Sequence, residues 1–251
     1  MHKLISIGAA LALALGAAPG QAAPASIAAA VADSSARSEA NVKLDEGRKP
    51  VEVLKFLGLK PGMRVSDPFG GNLYWAEITA PFVGPTGRVI IWQPTQFYRQ
   101  KGYDNYTALK TKQSNVWMRV SPFEAPDFGA GYDFMLINLD YHDVYWESAK
   151  NGIARMDPDQ WLKAVYAAMK PGAVVGIIDH AGDPGDTRAT VEKYHRIDPA
   201  VVKGDFKRAG FVLEAESDML RNKADDHSLN VFDPKIRGHT DRFVFKFRKP
   251  R

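Results

Sequence analysis

The sequence predicts an α/β fold: a mostly parallel sheet with an antiparallel C-terminal strand. Short runs that are apolar from end to end, as strands covered on both faces must be, alternate with segments of helical periodicity. Glycine and proline turns separate them. The chain then finishes in two consecutive strands, the pattern of an antiparallel return.

Residues 1–23 precede this fold. Met1-His2-Lys3 is a short basic start, 4–18 is an apolar run, and Gly20-Gln21-Ala22-Ala23 places small residues where a signal peptidase cuts. The run is shorter than the roughly 20 residues that span a bilayer, so it reads as a signal peptide and the mature chain as periplasmic or secreted. Residues 24–40, rich in Ala and Ser, read as a flexible or loosely helical leader. Residues 41–251 read as a single domain, with no membrane span in the mature chain.

The elements follow in order. A helix is expected over 48–58, where Val51, Leu54, Phe56 and Leu57 make a stripe that Gly58-Leu59-Lys60-Pro61-Gly62 ends. A strand over 63–67 leads through Pro68-Phe69-Gly70-Gly71-Asn72 into an apolar helix over 73–83. After Gly84-Pro85-Thr86-Gly87 comes a β-branched buried strand, 88–93, and a helix between 96 and 112. The third strand spans 115–120 and the fourth 132–139. Asp157 as N-cap and Pro158 at the first helical position start a helix that runs to 169. Lys170-Pro171-Gly172 turns into the fifth strand, 173–179. Asp198-Pro199 opens another helix ending near 210, and 211–216 is the sixth strand. The last strand, 242–248, alternates apolar and basic residues as an exposed or edge strand does.

Composition removes several function classes. The 33 basic and 29 acidic residues are interspersed, for a net charge of +4, so no nucleic-acid groove is expected. Without a cysteine the chain has no disulfide, thiolate metal site, cysteine nucleophile or lipoprotein anchor.

In open sheets of this kind ligands bind beyond the carboxyl ends of the strands, and those ends are polar here. Asp67 and Gly70-Gly71-Asn72 follow the first strand, Gln93 ends the second, Asn138-Leu139-Asp140-Tyr141-His142-Asp143 the fourth, and Asp179-His180-Ala181-Gly182-Asp183 the fifth. These stretches, with Lys60 to Asp67, Gly84 to Val89 and Met169 to Ala173, resemble class I S-adenosylmethionine-dependent methyltransferases. The segments 195–199, 216–222, 230–234 and 240–243 resemble an exported bacterial group of them. The resemblance implies a Rossmann-like sheet and S-adenosyl-L-methionine as cofactor, bound by Asp67, Gly70, Gly71, Asn72, Gln93 and Asn138. In the family the turn reads acidic-x-Gly-x-Gly-x-Gly, so Phe69 and Leu73 stand where glycines do, and Gln93 replaces the acidic residue that holds the ribose. Glycine there lets backbone approach the ligand, while helix N-terminal amides receive its carboxylate.

Asn138-Leu139-Asp140-Tyr141 keeps only the ends of the Asn-Pro-Pro-Tyr motif that holds amine nucleophiles, which argues against N-methylation. His142 is the candidate general base, with Asp140 or Asp143 to orient it, acting on a small-molecule substrate. Two other readings stand beside the methyltransferase. One is a non-catalytic small-molecule-binding protein on the same fold. The other is a metal-assisted hydrolase using Asp140, His142, Asp143, Asp179, His180 and Asp183, although no local ligand spacing marks a metal site. The polar connection 218–240 reads as a lid over the mouth or as a surface insertion.

Overall fold

The computed structural model describes residues 23–35 and 37–251. The segment expected to be a signal peptide therefore lies outside the described residues except for Ala23. The strands are β1 (Arg64–Pro68), β2 (Arg88–Pro94), β3 (Val116–Ser121), β4 (Tyr132–Asn138), β5 (Met169–His180), β6 (Val212–Ser217) and β7 (Arg242–Arg248). They form one seven-stranded sheet in the order β3-β2-β1-β4-β5-β7-β6. Pairing is parallel from β3 to β5, and β7 runs antiparallel to both neighbours.

Helices cover both faces, as an all-apolar parallel strand requires. On one face lie α1 (Ile27–Ala32), α4 (Pro50–Leu57) and α5 (Tyr74–Val83), packing Ile27, Leu54, Leu57 and Ile78 onto Val65, Val89, Phe134 and Leu136. On the other, α7 (Pro158–Ala168) and α9 (Pro199–Arg208) set Leu162, Val165, Val202 and Phe206 against Met135, Ile137, Val175 and Ile177. Asp157 and Asp198 cap these two helices through their side chains, and proline occupies the first turn of each.

Several expectations are revised. The last strand is not at an edge: β7 lies between β5 and β6, with Arg242 to Phe245 and Phe247 buried. Its alternating bases are matched by a partner, since Glu214 of β6 pairs with both Lys246 and Arg248. The fifth strand starts at Met169 rather than Ala173, because the expected turn at Gly172 instead continues the ladder, its N–H donating to Lys249 O at 2.8 Å. The helix expected over 48–58 is split. Lys49 adopts a left-handed φ of 45° that separates α3 (Asp45–Arg48) from α4.

The leader is partly built in. Ile27 and Ala30 of α1 are buried, and α2 (Glu39–Val42) follows a buried Arg37 whose guanidinium donates to Asp45 at 2.6 Å and to Val31 O at 2.8 Å. Two further helices complete the fold: α6 (Gln100–Lys112), within the expected range, and α8 (Thr187–Tyr194), which periodicity did not reveal. No helix of the described residues is long and apolar enough to cross a membrane.

Ile177, fully buried between β4 and β7, tests this arrangement. Ile177→Asp should abolish cooperative thermal unfolding followed by circular dichroism, because an unpaired buried charge costs several kcal/mol, on the order of the whole stability. A soluble variant with a normal melting transition would refute the assignment.

Candidate functional site

The site grows from two sharp exits at the carboxyl ends of adjacent strands. Leaving β1, Phe69 N–H donates to Trp92 O at 2.8 Å and Gly71 N–H to Phe69 O at 2.6 Å, which folds the chain back toward α5. Phe69 has φ 56° and Leu73 φ 62°, both left-handed. These are two of the three positions where the pattern this turn resembles carries glycine, Gly71 being the third. Leaving β4, Leu139 does the same with φ 64°, its N–H donating to Ile178 O at 2.7 Å. The left-handed region costs a side-chain-bearing residue about 1–2 kcal/mol.

Packing offsets that cost. The Phe69 ring meets Trp92 edge-on at 5.3 Å and Phe123 at 5.0 Å, and Leu73 is buried at the start of α5. Phe69 thus anchors the turn to the core side of the sheet. The segment that follows the leader braces it from the other side: Asn41 Nδ2 donates to Asn72 O at 2.8 Å and to Glu77 at 2.9 Å, and Tyr74 OH donates to Asp45 at 2.7 Å.

Gly70 and Gly71 remain where a side chain would collide. A Cβ on Gly70 would come within 2.8 Å of Asp67 Oδ2, and one on Gly71 within 3.1 Å of Gln93 Oε1. A cleft lies on each side of this dipeptide. One, of about 170 Å³, is bordered by Arg48, Asp67, Trp75, Asn138 and Asp140 together with Phe69, Gly70 and Asn72. The other, of about 330 Å³, is bordered by Gly71, Asn72, Gln93, Phe97, Tyr98 and Met118 among others.

The walls hold polar atoms without partners. Asp67 Oδ2, Trp75 Nε1 and Gln93 Oε1 are buried and make no hydrogen bond. A buried polar atom left unpaired costs about 1–3 kcal/mol, so three around one dipeptide mark a surface shaped for something else to complete.

Charge is held under strain here. Burial pushes the Asp67 carboxyl up to about 7, against the opposing pull of Arg48 and of the Ala76 N–H at the start of α5. Burial, then the carboxylates of Asp143, Asp179 and Asp67, push Asp140 well above the ordinary carboxylate range, with His142 opposing them. Burial lowers the Arg48 guanidinium, which lies over the Tyr74 ring at 4.2 Å and is balanced by Asp140 and Asp67.

Every sequence-predicted cofactor residue borders one cleft or the other, and Asp140 borders the first. His142 borders neither. It is buried behind them, where Asp179 accepts from its backbone N–H at 2.8 Å and meets Nδ1 at 2.8 Å. Burial alone would lower its pKa, but Asp179, Asp143 and Asp140 raise it to about 9, so the ring carries a proton at neutral pH. A protonated imidazole donates and does not accept.

His180 and Asp183 point elsewhere. His180 Nδ1 meets Thr240 Oγ1 at 2.7 Å, and Asp183 meets His227 at 2.8 Å. The connection 218–240 borders neither cleft. It is tied down by the buried pair of Arg196 with Asp225 at 2.9 Å and by Arg221 with Asp241 at 2.8 Å. Sequence reasoning missed Arg48, which sits far from any strand end in the chain; its only signal was a place on the first helix.

No family model matches the chain, and no curated protein does. Solved structures match its fold. A SAM-dependent methyltransferase from Aquifex aeolicus superposes with TM-score 0.56 at 18% identity, covering 84% of this chain and 94% of the other. A SAM-dependent methyltransferase from Mesorhizobium loti gives 0.57 at 12%, covering 82% and 99%. A cyclase, SpnF, gives 0.58 at 15%, covering 81% and 80%. The chain has the class I methyltransferase fold.

Leu73 separates strain from packing. Leu73→Ala loses the buried side chain and keeps the strain of the left-handed backbone, whereas Leu73→Gly loses both the side chain and the strain. Urea unfolding should place both below the parent, with the glycine variant more stable than the alanine variant by about 1 kcal/mol. The reverse order would show that φ at this position is relaxed in solution.

Proposed function

We propose that the chain is an S-adenosylmethionine-dependent methyltransferase acting on a small molecule, with its cofactor laid across Gly70-Gly71 between the two clefts. The observation that carries this is the set of unpartnered atoms. Gln93 Oε1 is an acceptor suited to a ribose hydroxyl. Asp67 Oδ2 suits an ammonium, and Trp75 Nε1 with Arg48 suits a carboxylate. Asn72 and Asn138 add polar edges to the first cleft. The donors and acceptors of an amino acid joined to a nucleoside thus find counterparts on opposite sides of one turn.

When bound, the cofactor supplies an electrophilic methyl group on a sulfonium centre. Asp140, beside Asn138 at the exit of β4, is the residue of this chain placed to take a proton from the acceptor, since a carboxylate whose pKa is raised above the ordinary range is a stronger base. His142 is a positioning residue: its charge opposes the rise that burial and the neighbouring carboxylates impose on Asp140. The solved structures support this reading through their fold. SpnF, a cyclase on the same fold, makes binding without methyl transfer the alternative to be measured against.

Isothermal titration with S-adenosylmethionine and S-adenosylhomocysteine tests it directly. Both should bind, and Gly71→Val should abolish binding by driving a branched side chain into Gln93. Absence of binding at millimolar concentration would overturn the reading. Asp67 adds a pH signature. It is protonated below about 7 in the folded chain, and only its ionised form attracts a cation. Affinity for S-adenosylmethionine should therefore rise roughly tenfold between pH 6 and pH 8. In Asp67→Asn the profile should flatten.

We further propose that residues 1–23 direct export. Mass spectrometry of the protein made in a Gram-negative host should find a mature N-terminus near Ala23 in the periplasmic fraction. An intact Met1 in the cytosol would refute it.

A further inference from the structure

Behind the clefts, His142, Asp143 and His195 bring one donor atom each to a common point, all within 4.8 Å of one another. His142 Nε2 lies 3.4 Å from Asp143 Oδ1, and His195 Nδ1 lies 3.6 Å from the same oxygen. Ligands around a tetrahedral ion bound at about 2.0–2.1 Å stand roughly 3.3 Å apart, so two of the three edges already have the right length. We propose that these residues form a binding site for a divalent transition ion of the zinc type. A ligating imidazole is neutral, so the ion takes the place of the proton on His142 Nε2, and the assignment does not rest on the methyltransferase reading.

Each ligand is prepared for it. Asp179 fixes the His142 ring from behind through Nδ1 and the backbone N–H, both at 2.8 Å, which leaves Nε2 facing Asp143. A carboxylate on the far nitrogen of a ligating imidazole is the arrangement that orients such rings and strengthens their donation. Asp143 Oδ1 is buried without a hydrogen-bond partner, and no lysine or arginine of the described residues pairs with this carboxylate.

His195 arrives from another element, as the residue that ends α8, in a left-handed conformation with φ 51°. Such strain in a residue with a side chain persists only where surrounding contacts demand it. Here the ring is set edge-on to Trp146 at 5.2 Å, Phe232 at 5.1 Å and His142 at 5.5 Å. Trp146 and Phe232 give the site an apolar side.

The donor set selects the ion. Two imidazoles with one carboxylate suit zinc, cobalt and iron(II), whereas calcium and magnesium prefer oxygen throughout. Three protein ligands also leave a coordination position open to water or a substrate atom. His180, though close, is engaged with Thr240 and takes no part.

The test uses the full chain without an affinity tag, stripped with chelator and titrated with Zn²⁺ or Co²⁺. Metal analysis after dialysis should find one ion per chain, and Co²⁺ should develop a visible ligand-field absorption. His195→Ala and Asp143→Asn should lose the ion while keeping the parent circular dichroism spectrum; His195 is partly exposed, which makes its removal the safer of the two for folding. Asp179→Asn should weaken binding by 10–100-fold, the effect of removing an outer carboxylate. His227→Ala, at a second histidine flanked by Asp183 and Asp241, should leave binding unchanged. No stoichiometric uptake at micromolar metal, uptake that survives in His195→Ala and Asp143→Asn, or uptake lost in His227→Ala would each overturn the assignment.

Discussion

Parallel pairing of β1 with β2 on one side and β4 on the other is the constraint from which the site descends. Strands buried on both faces have no room for polar side chains along their length, so polarity is expelled to their ends. Because these three strands run the same way, their carboxyl ends open on one edge, and Asp67, Gln93, Asn138 and Asp140 become neighbours despite their distance in the chain. The same geometry makes the pocket electrostatically tense. Helices and sheet bury Asp67 and crowd the half-buried Asp140; Arg48 interacts with both, and His142 also opposes the rise of Asp140.

The turn after β1 shows how a backbone shape outlives the residues usually associated with it. Phe69 and Leu73 keep left-handed geometry without being glycine, and Leu139 repeats the device after β4. In each case an apolar side chain is exchanged for conformational freedom, and its burial among aromatic or helical neighbours supplies compensation of the same order as the strain. What cannot be exchanged is the space at Gly70 and Gly71, where the obstacle is Asp67 and Gln93 themselves. Glycine thus stands where a Cβ would collide with a polar side chain, and larger residues stand where only the chain direction matters.

Much of the fold was legible because burial on two faces writes itself as uninterrupted Val, Ile, Leu and Phe, and because Asp-Pro pairs mark the starts of α7 and α9. The strand-end residues were legible for the same reason, since topology alone sends them to one edge. Other features depend on partners distant in the chain and had no local signature. The alternation of β7 looks like an edge strand until Glu214 is known to face its lysine and arginine. The leader looks unstructured until Arg37 meets Asp45 and Ser38 N–H meets Glu77. His142 is conspicuous in sequence as a residue near the mouth, but its orientation is set by Asp179, 37 positions away. His195 ends a helix whose polar sequence gave no stripe to reveal it.

The placement of β7 has a consequence for how the molecule is made. The last of the seven strands in chain order occupies an interior position, flanked by β5 and β6, so neither neighbour has its full complement of backbone partners until residues 242–248 have joined them. Completion of the sheet therefore waits for β7. The strand order that assembles the pocket also keeps the sheet from closing until that strand has docked between its two neighbours.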